Sequence, residues 1–170
     1  MKGLMLLFMI VIFVTGCLNQ PKSKESTKAK SDNEITKIHK SKVETYEGSL
    51  TAEEIEEDID GDGTKETIKL LISPAPQPDP TNENTYLWGD SHIWQLIVED
   101  EGNAYPLFND YVQGLAELYI VNEGERENVI AFQTKGTILS LTLYKYNPKD
   151  YFEKRVIYSN GSILHRSTMK

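Results

Sequence analysis

Hydrophobic residues are spread unevenly along this chain of 170 residues. An unbroken apolar run occupies residues 4–14, and a polar stretch without any aromatic residue covers residues 18–42. From Val43 onward, apolar and polar side chains alternate in short runs separated by Gly, Pro and Asn, which is the pattern of β-strands joined by turns. The pattern predicts three regions: a leader over residues 1–16, a polar segment over residues 17–42 and a β-domain over residues 43–170.

The alternation predicts an all-β domain of antiparallel sheets. It is clearest where Trp94, Leu96 and Val98 share one face of a strand. Strands are predicted over residues 43–50, 67–72, 93–98, 104–108, 118–121, 129–133, 138–146 and 155–158. Residues 73–84 contain four prolines and predict an extended surface loop, and residues 109–114 predict a connection. Strands at this spacing are typical of a β-sandwich or of propeller-blade-like sheets.

The apolar run near the N-terminus is too short to span a bilayer core of about 30 Å, which takes roughly 20 helical residues. It indicates a cleavable export signal. The run ends in Val14-Thr15-Gly16-Cys17, which resembles the bacterial lipobox, where small residues precede a cysteine that is lipidated. The resemblance implies a lipoprotein signal peptide over residues 1–16 and a lipid anchor at Cys17, on the extracytoplasmic face of a bacterial cell membrane. An ordinary secretory signal with a chance cysteine is the alternative.

Residues 18–42 carry seven lysines against three acidic residues. A stretch so poor in apolar side chains cannot bury enough surface to fold, which predicts a flexible tether. At this length it would hold the body roughly 25–30 Å from the membrane. Its lysines would either contact anionic headgroups or simply keep a spacer soluble.

The charge balance reverses after the tether. From Val43 onward, 10 basic residues stand against 23 acidic ones, and the whole chain has a net charge of −8. This excess argues against nucleic acid as a partner, because phosphate binding needs a basic surface. Cys17 is the only cysteine, so an intramolecular disulfide is excluded.

A short acidic loop at residues 58–66 carries the clearest chemistry. Its sequence is Asp58-Ile59-Asp60-Gly61-Asp62-Gly63-Thr64-Lys65-Glu66. Alternate aspartates in a loop that glycine allows to curve direct their oxygens at one point, and calcium takes six to eight such ligands. The predicted ligands are the side chains of Asp58, Asp60, Asp62 and Glu66 and the backbone carbonyl of Thr64. A hairpin turn stabilised without a metal is the alternative.

The loop resembles the calcium loops of FG-GAP and VCBS-type repeats, in which a D-x-D-G-D-G-x-x-D/E segment connects two strands of a propeller-like sheet. The resemblance is good over residues 58–72 and loose over residues 118–146. It implies a bound Ca²⁺ and favours a strand over a helical turn for residues 51–57. The loop is not an EF-hand, because Lys69 occupies the position of the closing glutamate and a strand follows.

A weak internal repeat appears when the chain is shifted by 61 residues. Asp62 then aligns with Glu123 and Gly63 with Gly124, but Tyr119 replaces Asp58. The second copy keeps the turn and loses the ligands, so one metal site is expected. Chance similarity between two turns is the alternative.

No catalytic motif is recognisable, and a non-enzymatic protein is predicted. The sequence contains no nucleophile elbow, phosphate-binding loop or zinc spacing, and His92 and His165 are far apart. The predicted function is a calcium-stabilised envelope module that binds a protein or a wall polymer. The alternative is a glycan-binding lipoprotein that uses exposed aromatic rings at Tyr86 and Trp88, with Trp94 expected in the core.

Overall fold

The computed structural model describes residues 34–82, 85–87, 89, 91–124 and 128–162. The leader, Cys17, most of the tether and Trp88 therefore lie outside the described residues. Within the described ranges the chain forms eleven strands and no helix. In chain order these are β1 (Ile35–Ile38), β2 (Leu50–Glu57), β3 (Glu66–Ser73), β4 (Gln77–Pro78), β5 (Tyr86–Leu87), β6 (His92–Asp100), β7 (Asn103–Val112), β8 (Gly114–Asn122), β9 (Asn128–Gly136), β10 (Ile138–Asn147) and β11 (Tyr151–Ser162).

The strands form two antiparallel sheets and a short ribbon. A five-stranded sheet has the order β1-β11-β10-β9-β8, and a four-stranded sheet has the order β2-β3-β6-β7. Strands β4 and β5 pair with each other as the ribbon, which lies in and just after the proline-rich segment. The predicted all-β fold of antiparallel sheets is confirmed.

The two sheets share one hydrophobic core, as in a β-sandwich. In β3, which the sequence predicts as a strand over residues 67–72, the alternate residues Ile68, Leu70 and Ile72 are buried. Aromatic rings connect the two sheets: Tyr105 of β7 packs against Phe152 of β11 with ring centroids 5.2 Å apart. The core therefore extends to the end of the sandwich where the acidic loop is located.

The chain crosses from one sheet to the other between β7 and β8, with Gln113 as the single intervening residue. Gly114 has a φ of 142° and pairs with Gly136 of β9. A Cβ atom at Gly114 would overlap the Lys135 carbonyl oxygen, and one at Gly136 would overlap the Gln113 carbonyl oxygen, so only glycine fits at both positions. The predicted connection over residues 109–114 is wrong, because β7 continues to Val112 and β8 begins at Gly114.

The folded domain begins earlier than residue 43. Strand β1 pairs with β11, from Ile35 opposite Arg155 to Ile38 opposite Phe152, although these residues were predicted to belong to the tether. Lys40 Nζ also lies 2.6 Å from a carboxylate oxygen of Asp150. A four-residue strand between polar residues has too short an alternation to be recognised, and its backbone hydrogen bonds are supplied by the long β11.

Residues 43–49 do not form the predicted first strand. They cross the outer face of the four-stranded sheet, where the Gln95 amide donates to the Glu44 carbonyl at 2.8 Å and the Ser73 hydroxyl to the Glu47 carbonyl at 3.2 Å. Gly48, with a φ of 68°, turns the chain into β2. The preference for a strand over a helical turn at residues 51–57 is confirmed.

Candidate metal centre

The acidic loop connects β2 to β3 and is held by its own aspartates. The Asp58 carboxylate accepts the N–H groups of Gly61 (2.8 Å) and Gly63 (3.1 Å), and both glycines have positive φ. Asp60 accepts the N–H of Asp62 at 3.0 Å, and Asp62 accepts that of Thr64 at 2.6 Å. Short side chains that bond to nearby backbone in this way set the curvature of the loop before any ligand is present.

Glu66, the first residue of β3, points into the sandwich. Its side chain is buried, with only 3% of the residue exposed. One carboxylate oxygen, Oε2, accepts the N–H of Ile59 at 2.6 Å, while the other, Oε1, is buried without a hydrogen-bond partner. A buried carboxylate oxygen without a partner is costly, so a cation beside this oxygen would stabilise the folded chain.

Asp58, Asp60 and Glu66 converge. One carboxylate oxygen from each lies within 4.8 Å of the others. Two oxygens bound to the same calcium at 2.3–2.6 Å are at most about 5 Å apart, so the three can share one ion. These three predicted ligands are therefore brought together.

Asp62, a fourth predicted ligand, is not part of the converging group of carboxylates. Thr64 is exposed and its N–H is bonded to Asp62, and coordination by its carbonyl stays a prediction. Further oxygens are needed to complete a calcium shell, and water supplies them in many protein sites.

Burial and like charge act together on these carboxylates. Burial is the main cause that raises the pKa of Glu66, and the neighbouring carboxylates of Asp60 and Asp100 raise it further. The pKa of Asp60 is raised in the same way, by burial first and then by Asp62, Asp100 and Asp58. A cation bound beside these carboxylates would lower their pKa values, because it favours the ionised form.

Asp100 is another carboxylate close to Glu66 and Asp60, and the sequence did not predict it as a site residue. It ends β6, and it lines a narrow pocket together with Asp60, Glu66, Tyr105 and Tyr146. Burial raises the pKa of Asp100 too. The signal was present in the alternation of β6, because Asp100 has the same parity as Val98 and therefore faces the core side of the strand.

The five-stranded sheet also contacts the acidic loop. Asn128, at the start of β9, donates its side-chain N–H to the Asp58 carbonyl at 2.7 Å. At the same end of the domain, the Asp150 carboxylate accepts a hydrogen bond from the Tyr105 hydroxyl and forms an ion pair with Lys40.

The chemistry of the site fits a hard divalent cation. Its donors are carboxylate oxygens, which calcium and magnesium prefer, and no histidine or cysteine belongs to the converging group. The pocket has no room for an organic ligand. If calcium is bound, its positive charge would supply the partner that Glu66 Oε1 lacks.

The remaining candidate residues lie elsewhere. Tyr86, on β5, is 44% exposed, and Trp88 lies outside the described residues, as do His165 and Cys17. Trp94 is buried in the core, as expected. His92 is also buried, and its Nδ1 lies 2.9 Å from the Pro74 carbonyl oxygen.

Comparisons with models of protein families, with curated proteins and with solved structures found no match to this chain. Among the described residues no helix is long and apolar enough to cross a membrane. The chemistry of the acidic loop is therefore the main basis for a functional proposal.

Proposed function

We propose that this chain is a non-enzymatic binding module of the bacterial cell envelope, stabilised by calcium and held at the membrane surface by a lipid on Cys17. The observation that carries the calcium part is Glu66. Its buried Oε1 has no partner, and its carboxylate faces those of Asp58 and Asp60. A Ca²⁺ ion held by these three residues would neutralise their repulsion and pin the loop against the core.

The location strengthens the case for calcium. A lipid on Cys17, at the end of the lipobox-like segment, would hold the domain outside the cell membrane, where calcium is available at millimolar levels. Sites of moderate affinity are occupied under these conditions, with dissociation constants of about 10⁻⁴–10⁻³ M in extracellular modules. Calcium is then a permanent structural component rather than a signal.

Calcium-dependent melting tests this proposal. Millimolar Ca²⁺ should raise the thermal midpoint of the chain by several degrees, because a ligand that binds only the folded state stabilises it by mass action. Asp60→Asn should remove most of that shift, since it deletes a ligand charge but keeps the oxygen that accepts the Asp62 N–H. Differential scanning calorimetry with calcium and with a chelator gives the comparison.

Asp110→Asn is the matched control. Asp110 is exposed near the far end of the β6–β7 hairpin and accepts only the N–H of Tyr111 among the described hydrogen bonds. This variant should keep the full calcium shift. A wild-type midpoint that does not respond to calcium would rule out the metal site.

The binding role is supported by the outer face of the five-stranded sheet. The edge strand β8 exposes Leu115, Tyr119 and Val121 on that face. Clustered apolar side chains on a surface are typical of protein contacts. An envelope protein is therefore the first partner to test.

Glycan binding is the alternative, supported by the exposed ring of Tyr86 beside Trp88 in the sequence. Pull-down from cell-envelope extracts separates the two partners. Tyr119→Ser should reduce capture of a protein, whereas Tyr86→Ala with Trp88→Ala should reduce capture of a wall polysaccharide. Each variant serves as the control for the other.

A further inference from the structure

Asp100 stands beside the proposed calcium ligands because of the strand register. Strands β3 and β6 are antiparallel, and their pairing places Thr67 opposite Glu99. The next position along the two strands brings Glu66 next to Asp100. Both residues have the parity of core-facing neighbours, Ile68 and Val98, so both carboxylates emerge on the same side of the sheet.

The two carboxylates open into one pocket, which Asp60 also lines. Glu66 supplies an independent sign that this pocket receives a ligand, because its Oε1 is buried there without a partner. Lys40, a cation whose charge reaches Asp100, is already bound to Asp150 at 2.6 Å. The described charges near the pocket thus leave an excess of negative charge.

We propose that Asp100 is a fourth acidic residue of the calcium site and holds a cation-bound water. This inference rests on the proposed function, since it assigns a further residue to the same ion. A water-mediated role follows from the geometry: Asp58, Asp60 and Glu66 have oxygens within 4.8 Å of one another, and Asp100 does not belong to that group. Calcium sites often include one carboxylate that acts through water.

The assignment changes what the ion does for the fold. A site formed by residues 58–66 alone would stabilise one loop. With Asp100, the ion links that loop to the β6–β7 hairpin and closes the end of the sandwich over Ile59 and Tyr105, which are 3% and 1% exposed. Calcium then connects two separate hairpins of the four-stranded sheet.

The test uses Asp100→Asn in the full-length chain, with Glu101→Gln as the matched control. Glu101 is the exposed neighbour of Asp100 and loses the same charge when replaced. Calcium affinity should fall about tenfold in Asp100→Asn, as is usual when a residue that orients a ligand is removed, and much less in Glu101→Gln. Isothermal titration with Ca²⁺ measures both.

Two further measurements separate a calcium role from a merely structural one. In chelator, Asp100→Asn should melt at a higher temperature than wild type, because a repelling carboxylate has been removed. Terbium luminescence, excited through Tyr105 and Tyr146 in the pocket wall, counts the waters bound to the ion. That count should not change in Asp100→Asn, because Asp100 holds a water and does not displace one.

Several outcomes would overturn the inference. Equal calcium affinities for Asp100→Asn and Glu101→Gln would remove Asp100 from the site. An additional terbium-bound water in Asp100→Asn would make Asp100 a direct ligand instead of a water holder. A lower midpoint of Asp100→Asn in chelator would indicate a structural role. Failure of the wild type to bind calcium would overturn the proposed function as well. The wild-type titration distinguishes this outcome from a failure that concerns Asp100 alone.

Discussion

Glu66 combines two properties that rarely occur together in a residue without a ligand. It is almost completely buried, and one of its carboxylate oxygens has no hydrogen-bond partner. Its other oxygen accepts the Ile59 N–H and so couples the carboxylate to the loop backbone. Without a cation, Glu66 should therefore destabilise the fold in its ionised form, and with a cation it should stabilise it.

Glu66→Gln should reverse the response of the protein to calcium. In chelator at neutral pH the variant should be more stable than wild type, because it removes a buried negative charge and keeps an oxygen for the Ile59 N–H. With millimolar Ca²⁺ the order should be inverted, since only the wild type gains the ion. Chemical denaturation in the two buffers measures the difference. Glu54→Gln, an exposed position on β2, should leave both stabilities unchanged.

The raised pKa of Glu66 also predicts a pH dependence. Because its pKa in the folded chain lies above the ordinary value of 4.5, the folded state binds the proton more tightly than the unfolded state. In chelator, wild type should therefore gain stability relative to Glu66→Gln as the pH falls through the raised pKa, and the gain should be complete below about 4.5. A stability difference that stays constant from pH 7 to pH 4 would contradict this.

At the scale of elements, the crossing between the sheets depends on two glycines. Gln113 alone separates β7 from β8, and its backbone lies close to Gly136 of β9. At Gly136 an added Cβ would overlap the Gln113 carbonyl oxygen, which is main chain and cannot rotate away. This point of the fold tolerates no side chain.

Gly136→Ala should destabilise the domain by about 3 kcal/mol, at the upper end of the cost of overpacking. Gly124→Ala is the control, because Gly124 has a φ of 103° and open space around it. That variant should cost only about 1–2 kcal/mol, from backbone strain alone. Urea denaturation ranks the two, and an equal cost for both would show that close strand approach is not the reason for Gly136.

At the scale of the whole molecule, we propose that a basic segment joins an acidic body to a lipid anchor. Residues from Val43 onward are strongly acidic, whereas residues 18–42 are basic. Such a body is repelled by an anionic membrane, so the proposed anchor would have to supply the attachment. Two acyl chains suffice for stable anchoring, whereas one is marginal.

Cys17→Ser should move the protein from the membrane fraction to the medium or to the soluble extract. The calcium-dependent rise in melting temperature should be unchanged, because Cys17 lies far along the chain from the loop at residues 58–66. Fractionation followed by immunoblotting measures the distribution, with Ser26→Ala as a control within the same segment. Retention of Cys17→Ser at the membrane would contradict anchoring through this residue.

The sequence by itself determined the local features of the protein. Alternation of apolar side chains predicted the all-β class and a buried face of β6, because side-chain direction in a strand follows from parity alone. The spacing of Asp58, Asp60 and the two loop glycines predicted a curved, oxygen-lined loop, because their hydrogen bonds are made within a few residues. These properties depend on neighbours in the chain.

Only the tertiary structure decided which distant segments meet. Strand β1 joins the fold because β11 offers it an edge, and Asp100 reaches Glu66 because Thr67 pairs with Glu99. The packing of the two sheets around one core is also a tertiary feature. Such pairings depend on the packing of the whole domain, which no local pattern encodes. The acidic loop is thus local in its curvature, and its buried carboxylate and fourth acidic neighbour are products of the fold.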